Sequence, residues 1–414
     1  PRAQRAREHQ VTHHVGTTLQ GVAAPTETPR VLDGGRVMFR GSLLQVAGAR
    51  SSGRVVVFAS GPGYARLAAG QPAAFGAEVS APRRRDLTVA VLSARGPPTA
   101  GEPAPAHRAA QHVRVAFARA ARLALGADEA AVLPALVLGD TSAVPAAVTS
   151  QFRVSGLTHV TAVSGSNVTI VCGAVLLSAA LVGPRFAVLL AGVVLLAFVV
   201  VVQPSASVLR AAVMGAITLL AVVTRRRRQA LPALAAAVVA LMIAAPELAV
   251  DAGFALSVSA TAALVMIAPA WSRRLTARGW PRPLADAVSV ALAAQLVTAP
   301  LVAGISGSVS LVGVVANLLV APVIPPITVV GTAAAALCPL WPAGAELLIR
   351  FAGPPVWWLL TVAQHAADLP AASVPARTAP PTASCASSTA RHSSHIETCA
   401  ATTSAKGRGR LPAA

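Results

Sequence analysis

The residues best suited to chemistry lie close together in one apolar segment in the middle of the chain. Seven polar side chains fall within residues 158–169: Thr158, His159, Thr161, Ser164, Ser166, Asn167 and Thr169. A membrane-spanning helix tolerates a few hydroxyl groups, but so dense a cluster must be satisfied by other helices or by water. The cluster therefore predicts the lining of a polar path on a broken helix. Hydrogen bonding between neighbouring helices is the alternative interpretation.

A histidine and two serines within this cluster raise a second hypothesis, an intramembrane hydrolase. Ser164 or Ser166 would be its nucleophile and His159 its base. Ser164 lies five positions from His159, which is a poor spacing for two side chains on one face of a helix. No carboxylate is placed to orient the histidine. The polar path is therefore the leading hypothesis.

The composition indicates a polytopic α-helical membrane protein, because 55% of the 414 residues are hydrophobic and only 12% are charged. Apolar segments long enough to cross a bilayer are predicted at 158–182, 186–203, 207–223, 230–246, 252–270 and 284–305. Prolines interrupt the apolar region 309–343, which predicts further spans or a re-entrant pair. Another apolar helix is expected at 344–368. The transmembrane region is thus predicted to cover residues 158–370.

Polar residues elsewhere in these spans extend the list of path candidates. Arg210 is the most informative, because an arginine inside a membrane is costly and normally faces a cavity or a partner. Snorkelling to the membrane interface is the alternative, since Arg210 lies near the end of its span. The full set of candidates is His159, Ser164, Asn167, Arg210, Gln295 and Asn317.

Short strands punctuated by glycine precede the membrane region. They are predicted at 36–46, 53–60, 72–82 and 85–96, and they suit a small all-β domain of OB type over residues 30–96. Most of its aromatic residues, which are Phe39, Phe58, Tyr64 and Phe75, are expected in its core. The run Arg83, Arg84 and Arg85 is a candidate site for single-stranded DNA, with a solvated turn as the alternative.

The segments on either side of the β domain carry weaker signals. Residues 1–29 are predicted to be irregular. Residues 97–157 are predicted as a linker followed by amphipathic helices, and the first helix carries four arginines and could lie on the membrane surface.

Arginine-rich loops predict the orientation in the membrane. Arg185 follows the first span, residues 225–228 follow the third, and Arg273, Arg274, Arg278 and Arg282 follow the fifth. These loops share one side if the spans alternate, and the positive-inside rule makes that side cytoplasmic. The first span then enters from outside, so the β domain is expected outside the cytoplasmic membrane.

The order of six short motifs resembles the ComEC competence family, the inner-membrane channel for DNA uptake in bacterial transformation. The motifs are ALVLGD (135–140), SGLTHVTAVSG (155–165), SVLRAAVMG (207–215), AGFALSVSATAAL (252–264), QLVTAPL (295–301) and LVGVVANLLVAPVI (311–324). His159 stands at the first histidine position of the family, whereas Asn167 replaces the second.

The resemblance implies a multi-pass channel in the cell inner membrane that conducts single-stranded DNA into the cytoplasm. It implies membrane lipid, a DNA receptor and a cytoplasmic ATP-driven translocase as partners, and it allows an oligomer without fixing the oligomeric state. The chain has no G-x-x-x-x-G-K nucleotide-binding loop, so a partner must supply the energy. No cofactor is implied. A small-solute transporter remains a third hypothesis, although no convincing pair of interrupted repeats supports it.

Family members usually carry two spans before the OB-like domain, and many carry a metallo-β-lactamase-like nuclease domain after the membrane region. Neither is found in this sequence, so we expect a chain truncated at both ends and without the nuclease activity. Residues 371–414 are predicted to be disordered, and the change of composition near Arg377 suggests a frameshift. The cysteines and histidines of residues 371–414 fit no common zinc spacing, so no metal site is predicted.

Overall fold

The computed structural model describes residues 10–82, 88–161, 163–179, 182–224, 229–370 and 372–375. The arginine run at 83–85, the arginines at 225–228 and the predicted tail from residue 376 onward lie outside the described residues.

Five strands close into a small barrel near the start of the described chain. The strands of this region are β1 Thr18–Pro25, β2 Arg30–Val31, β3 Arg36–Val46, β4 Ala49–Ser60, β5 Ala73–Ser80 and β6 Thr88–Ala100. Their order is β1-β5-β6-β4-β3, and β3 also pairs with β1, which closes the ring. The β4–β6 pairing is parallel and the other pairings are antiparallel. This is an OB-like barrel, as the sequence predicts.

The barrel begins earlier than predicted, because β1 lies within the segment 1–29 for which the sequence predicts irregular structure. The buried positions of this strand are Gly21, Ala23 and Pro25. Such small or cyclic side chains give no hydrophobic alternation, so only pairing with β3 and β5 identifies the strand. The described barrel therefore runs from Thr18 to Ala100 rather than over 30–96.

Alternating side chains of the strands fill the barrel interior. Phe39, Phe75 and Leu92 are fully buried there, and Tyr64 from the short helix α1 (Pro62–Ala65) packs edge-on against Phe75. Phe58 is the exception among the four aromatic residues: it points outward from β4 and is 38% exposed. Its neighbours Val57 and Ala59 take the inward positions of β4, because side chains alternate along a strand.

Helices make up the rest of the described chain. They are α2 Pro105–Ala124, α3 Ala127–Leu138, α4 Ala146–Val154, α5 Thr158–Thr161, α6 Gly165–Ala179, α7 Pro184–Val202, α8 Ala206–Val223, α9 Ala230–Ala244, α10 Ala252–Met266, α11 Ala268–Ala277, α12 Arg282–Ser306, α13 Gly313–Val320, α14 Ile324–Leu337 and α15 Pro342–Asp368. Short 3-10 turns occur at Gln10–His14, Asp33–Gly35 and Pro246–Val250.

Several of these helices are long and apolar enough to cross a membrane, so the protein is a multi-pass membrane protein. Within the described residues, four spans qualify: Arg185–Val202, Ala206–Val223, Ala252–Ala277 and Arg282–Ser306. Helices α13 and α14 together form a fifth candidate, bent by 54° at the break between them. The bent pair fits either a broken span or a re-entrant pair, the alternatives that the sequence predicts for this region. Helices α6 and α9 are apolar but have only 15 residues each.

The long helix α15 lies at the centre of the helical core. It packs against α2, α4 and α14, and its buried face includes Ile349, Val356, Leu359 and Ala363. Helix α2 contributes Phe117 to the same core. The apolar face of α2 therefore packs on other helices.

One short strand pair ties the end of the described chain to the membrane region. Strand β7 (Ser308–Ser310) pairs with strand β8 (Ser373–Pro375), with Val309 opposite Val374. Strand β8 lies in the segment 371–414 that was predicted to be disordered. Its order comes from this pairing, which the composition of the segment does not reveal.

Candidate polar path at the helix break

The polar segment is interrupted, as the sequence predicts. Helix α5 ends at Thr161, and helix α6 begins at Gly165. The threonine hydroxyls of the cluster are used locally: Thr158 donates to the carbonyl of Phe152 and Thr161 to that of Thr158. Such bonds use the hydroxyl proton within its own segment, and the hydroxyl oxygen can still accept a hydrogen bond.

A first group of polar residues surrounds the start of α6. Asn167 is 5% exposed, and its Nδ2 donates to the carbonyl of Leu136 at 3.2 Å. Its Oδ1 accepts a hydrogen bond from Ser164 Oγ at 3.4 Å, and Ser164 Oγ contacts Ser166 Oγ at 2.5 Å. Asn167 thus joins α6 to the end of α3, whereas Ser166 is exposed and Ser164 is half-buried.

Arg210 belongs to this first group and does not snorkel. It is 5% exposed, its Nε donates to Ser257 Oγ at 3.0 Å, and its Nη1 contacts Met214 Sδ at 3.2 Å. Its Nη2 lies 2.8 Å from the position that a Cβ on Gly165 would take. Arg210 therefore connects α8 to α10 and to the break between α5 and α6.

A second group lies on the other side of the break. His159 is exposed, and its Nδ1 lies 3.2 Å from the carbonyl of Gly156. Gly156, with φ of +74°, packs so closely that an added Cβ would lie 3.1 Å from the Cα of Gly313 and from Ser310 Cβ. Gln295 Nε2 donates to the carbonyl of Ser310 at 3.3 Å.

Asn317 lies one helical turn beyond Gly313 on α13 and is half-buried. Its side chain makes no hydrogen bond within the part of the chain that the structure describes. The structure therefore divides the candidates between two groups. Ser164, Asn167 and Arg210 lie together at the start of α6. His159 and Gln295 lie on the other side of the break, where they are linked through residues 156 and 310.

The hydrogen bonds do not assemble a hydrolase. The side-chain partners of Ser164 are Ser166 and Asn167, and the partner of His159 is the carbonyl of Gly156. A nucleophile needs its base within hydrogen-bonding distance. Among the described residues no group of three or more His, Cys, Asp or Glu side chains is placed to hold a metal ion.

Sequence reasoning missed a buried arginine on α2. Arg114 is 3% exposed, and its Nη1 donates to the carbonyls of Leu138 and Val201, each at 3.0 Å. Its Nη2 lies 3.5 Å from the Asp140 carboxylate and 3.3 Å from Thr28 Oγ1. Burial lowers the pKa of Arg114, and the Asp140 carboxylate opposes that shift.

The signal for this burial was present in the sequence. Ala110, Phe117 and Ala121 are spaced from Arg114 by four, three and seven positions, which places all four residues on one face of α2. Arg108, Arg119 and Arg122 are exposed on other faces.

The same junction connects the barrel to one end of the first long span. Thr28 follows β1; its N–H donates to Gln203 Oε1 at 3.2 Å, and Gln203 Nε2 donates to Thr28 Oγ1 at 3.1 Å. Gln203 follows the last residue of α7, whereas Arg185 lies at the other end of that helix. The barrel and Arg185 are therefore at opposite ends of α7.

Comparison with known proteins identifies the family. The family model described as Competence protein matches residues 136–390, which is more than half of the chain. The matched region includes the helix break, both polar groups and Arg210, whereas the barrel precedes it. No curated protein and no solved structure matches the chain. The chain belongs to the Competence protein family, the family of ComEC proteins that its motifs resemble.

Proposed function

We propose that the protein conducts single-stranded DNA across the cytoplasmic membrane during natural transformation. The observation that carries the proposal is the interrupted polar helix inside the region that matches the competence family. DNA carries a negative charge on each phosphate, so its passage requires a hydrated, polar lumen with positive charge. The two polar groups at the break, with the cation of Arg210, offer that chemistry between membrane-spanning helices.

The outer face of the barrel supports a DNA-binding role in the same process. On strands β3 and β4, Arg36, Arg40 and Arg54 are exposed, and the exposed Phe58 pairs with Met38. These strands correspond to the face that binds oligonucleotides in OB barrels. Basic side chains hold the backbone of a single strand, and an exposed aromatic ring offers a surface on which a base stacks. This face adds to the arginine run at 83–85.

The proposed orientation puts the barrel on the outer side of the cytoplasmic membrane. The barrel contacts the Val202 end of α7, and the basic residue Arg185 lies at the opposite end. The positive-inside rule favours Arg185 on the cytoplasmic side. A strand would then meet the barrel before the membrane, and a cytoplasmic ATP-driven translocase would draw it inward, with an outer DNA receptor delivering it.

Reconstitution of the full chain into liposomes tests this function. A membrane potential that is positive inside is imposed, and a labelled single-stranded oligonucleotide is added outside, followed by a nuclease. We expect labelled strand to be protected inside the vesicles, and a duplex of the same length to be digested. Equal protection in protein-free vesicles, or equal protection of the duplex, would contradict the proposal.

A further inference from the structure

The charge of Arg210 has no counter-ion within the described residues. Both of its recorded partners are neutral, the hydroxyl of Ser257 and the thioether of Met214. The ion pairs of the described chain involve Arg30, Arg95, Arg108 and Arg114, and none involves Arg210. A charge that is 95% buried without an opposite charge is unfavourable, so a fold that retains it indicates a ligand.

The guanidinium is aimed at the beginning of a helix. Its Nη2 has no hydrogen-bond partner in the described part of the chain, and it approaches Gly165, the first residue of the 15-residue helix α6. The first N–H groups of a helix lack partners within the helix, and this end carries a partial positive charge. The Arg210 guanidinium and the positive end of α6 therefore face each other. An anion bound beside both would remove the repulsion between them.

Neighbouring groups match a tetrahedral oxyanion. The hydroxyls of Ser164 and Ser166 flank Gly165 and lie at the accessible side of the break. Glycine at 165 allows this close approach, because a Cβ there would lie 2.8 Å from Arg210 Nη2 and the guanidinium would have to shift. Arginine nitrogens, hydroxyls and helix N–H groups together are the donors that bind phosphate oxygens.

We propose that residues 164–166 and Arg210 form a binding site for a phosphate group. Nη2 of Arg210, the exposed Ser166 hydroxyl and the N–H groups of Gly165 and Ser166 would donate to its oxygens. The Ser164 hydroxyl and the Asn167 N–H are already engaged, with Asn167 Oδ1 and the Ser164 carbonyl respectively. The assignment of this phosphate to a DNA strand in transit rests on the proposed function. The site then holds one phosphodiester at the break between α5 and α6.

The test uses the full chain in lipid nanodiscs with two probes, inorganic phosphate and a labelled oligothymidylate. Wild type is compared with Arg210→Gln, and Arg119→Gln is the control because Arg119 is exposed on α2. Phosphate, compared with chloride at equal ionic strength, is expected to raise the thermal midpoint of wild type and of the control but not that of Arg210→Gln. For the oligonucleotide, the slope of log affinity against log salt concentration should be shallower by about 0.7 in Arg210→Gln than in wild type. This difference corresponds to the loss of one phosphate contact to a single strand.

A second variant keeps the test valid if Arg210→Gln fails to insert in the membrane. Gly165→Ala retains the cation but displaces Nη2 from the helix end, so it should also abolish the response to phosphate. A phosphate response that persists in both variants, or that is absent from wild type, overturns the site. Wild type that responds to phosphate but binds no oligonucleotide supports the site while contradicting the proposed DNA function.

Discussion

Two buried arginines in this protein are satisfied in different ways. Arg114 has two backbone carbonyls, a hydroxyl and the carboxylate of Asp140 around its guanidinium. Arg210 has only neutral partners. A buried cation with a full set of acceptors holds elements together, whereas one without a counter-ion is available to an anion. We therefore assign a structural role to Arg114 and a binding role to Arg210.

Replacing Arg114 should destabilise the junction between the barrel and the helices. In Arg114→Gln the shorter side chain leaves the carbonyls of Leu138 and Val201 and the Asp140 carboxylate without their partner. We expect a loss of about 2–4 kcal/mol in the free energy of unfolding. Thermal and denaturant unfolding of the purified chain would measure it.

Two further variants distinguish the destabilisation caused by losing the buried Arg114 from that caused by losing an exposed charge. Arg119→Gln removes an exposed arginine of the same helix and should leave stability nearly unchanged. Asp140→Asn should cost less than Arg114→Gln, because Arg114 would keep both carbonyls. Equal stabilities of the Arg114 and Arg119 variants would refute the structural role.

Tyr64 gives a direct pH readout of the barrel, because it is the only tyrosine in the sequence. Its hydroxyl donates to the carbonyl of Gly96 at 3.0 Å, and burial raises the pKa of Tyr64. The stabilisation that it gives is complete below the ordinary value of about 10 and is lost as pH rises through the higher folded value. Absorbance near 295 nm should show a native midpoint above 10 that returns to the ordinary value in denaturant.

The control for this titration is Tyr64→Phe, which removes the absorbance change. It also removes the hydrogen bond to Gly96, at a cost of about 0.5–1.5 kcal/mol. A native midpoint at or below 10 would mean that the ring is solvated.

At the scale of elements, helix α14 packs closely on α3 because a glycine lies at their contact. A Cβ on Gly331 would overlap the side chain of Val137, which is 1% exposed. Gly331→Ala should therefore force the two helices apart and cost about 1–3 kcal/mol, as overpacked cores do. Gly304→Ala on α12 is the matched control, because open space surrounds that glycine.

Unfolding in detergent would measure both glycine variants. The Gly304 variant should be unchanged or slightly more stable, since alanine favours helices. If both variants behaved alike, the contact with Val137 would not limit the packing of α14.

The elements that the sequence predicts well are those with a complete local pattern. Strand β3 has the predicted bounds 36–46, and Arg185–Val202 nearly coincides with the predicted span 186–203. The helix break could be predicted because its polar cluster is dense. Strand β1 and strand β8 could not, because each exists through pairing with residues distant in the chain.

The sequence predicts which residues belong to the polar site, but not which of them contact each other. Residue type alone selects His159, Asn167 and Arg210 as unsuited to lipid. Which of them meet depends on how α6, α8 and α13 pack, and no local pattern encodes that. The structure places Asn167 in a helix-to-helix hydrogen bond and Arg210 against the break.

At the scale of the whole molecule, the proposed orientation puts the barrel and the basic loops on opposite sides of the membrane. Thr28 of the barrel is bonded to Gln203, and the exposed Ser205 follows two residues later at the start of α8. Because α8 is itself a candidate span, Gln229 beyond its other end should lie on the opposite side. The barrel and Ser205 should therefore share the outer side, with Gln229 in the cytoplasm.

Cysteine labelling in whole cells tests this orientation. The four native cysteines are first replaced, and single cysteines are then introduced as Ser205→Cys and Gln229→Cys. Ser205→Cys should react with a thiol reagent that cannot cross the membrane, and Gln229→Cys should react only after the cells are made permeable. Labelling of both positions in intact cells would show that α8 does not span the bilayer. The reverse pattern would place the barrel in the cytoplasm, where it would meet DNA only after passage, and the barrel could then no longer be the site that receives incoming strands.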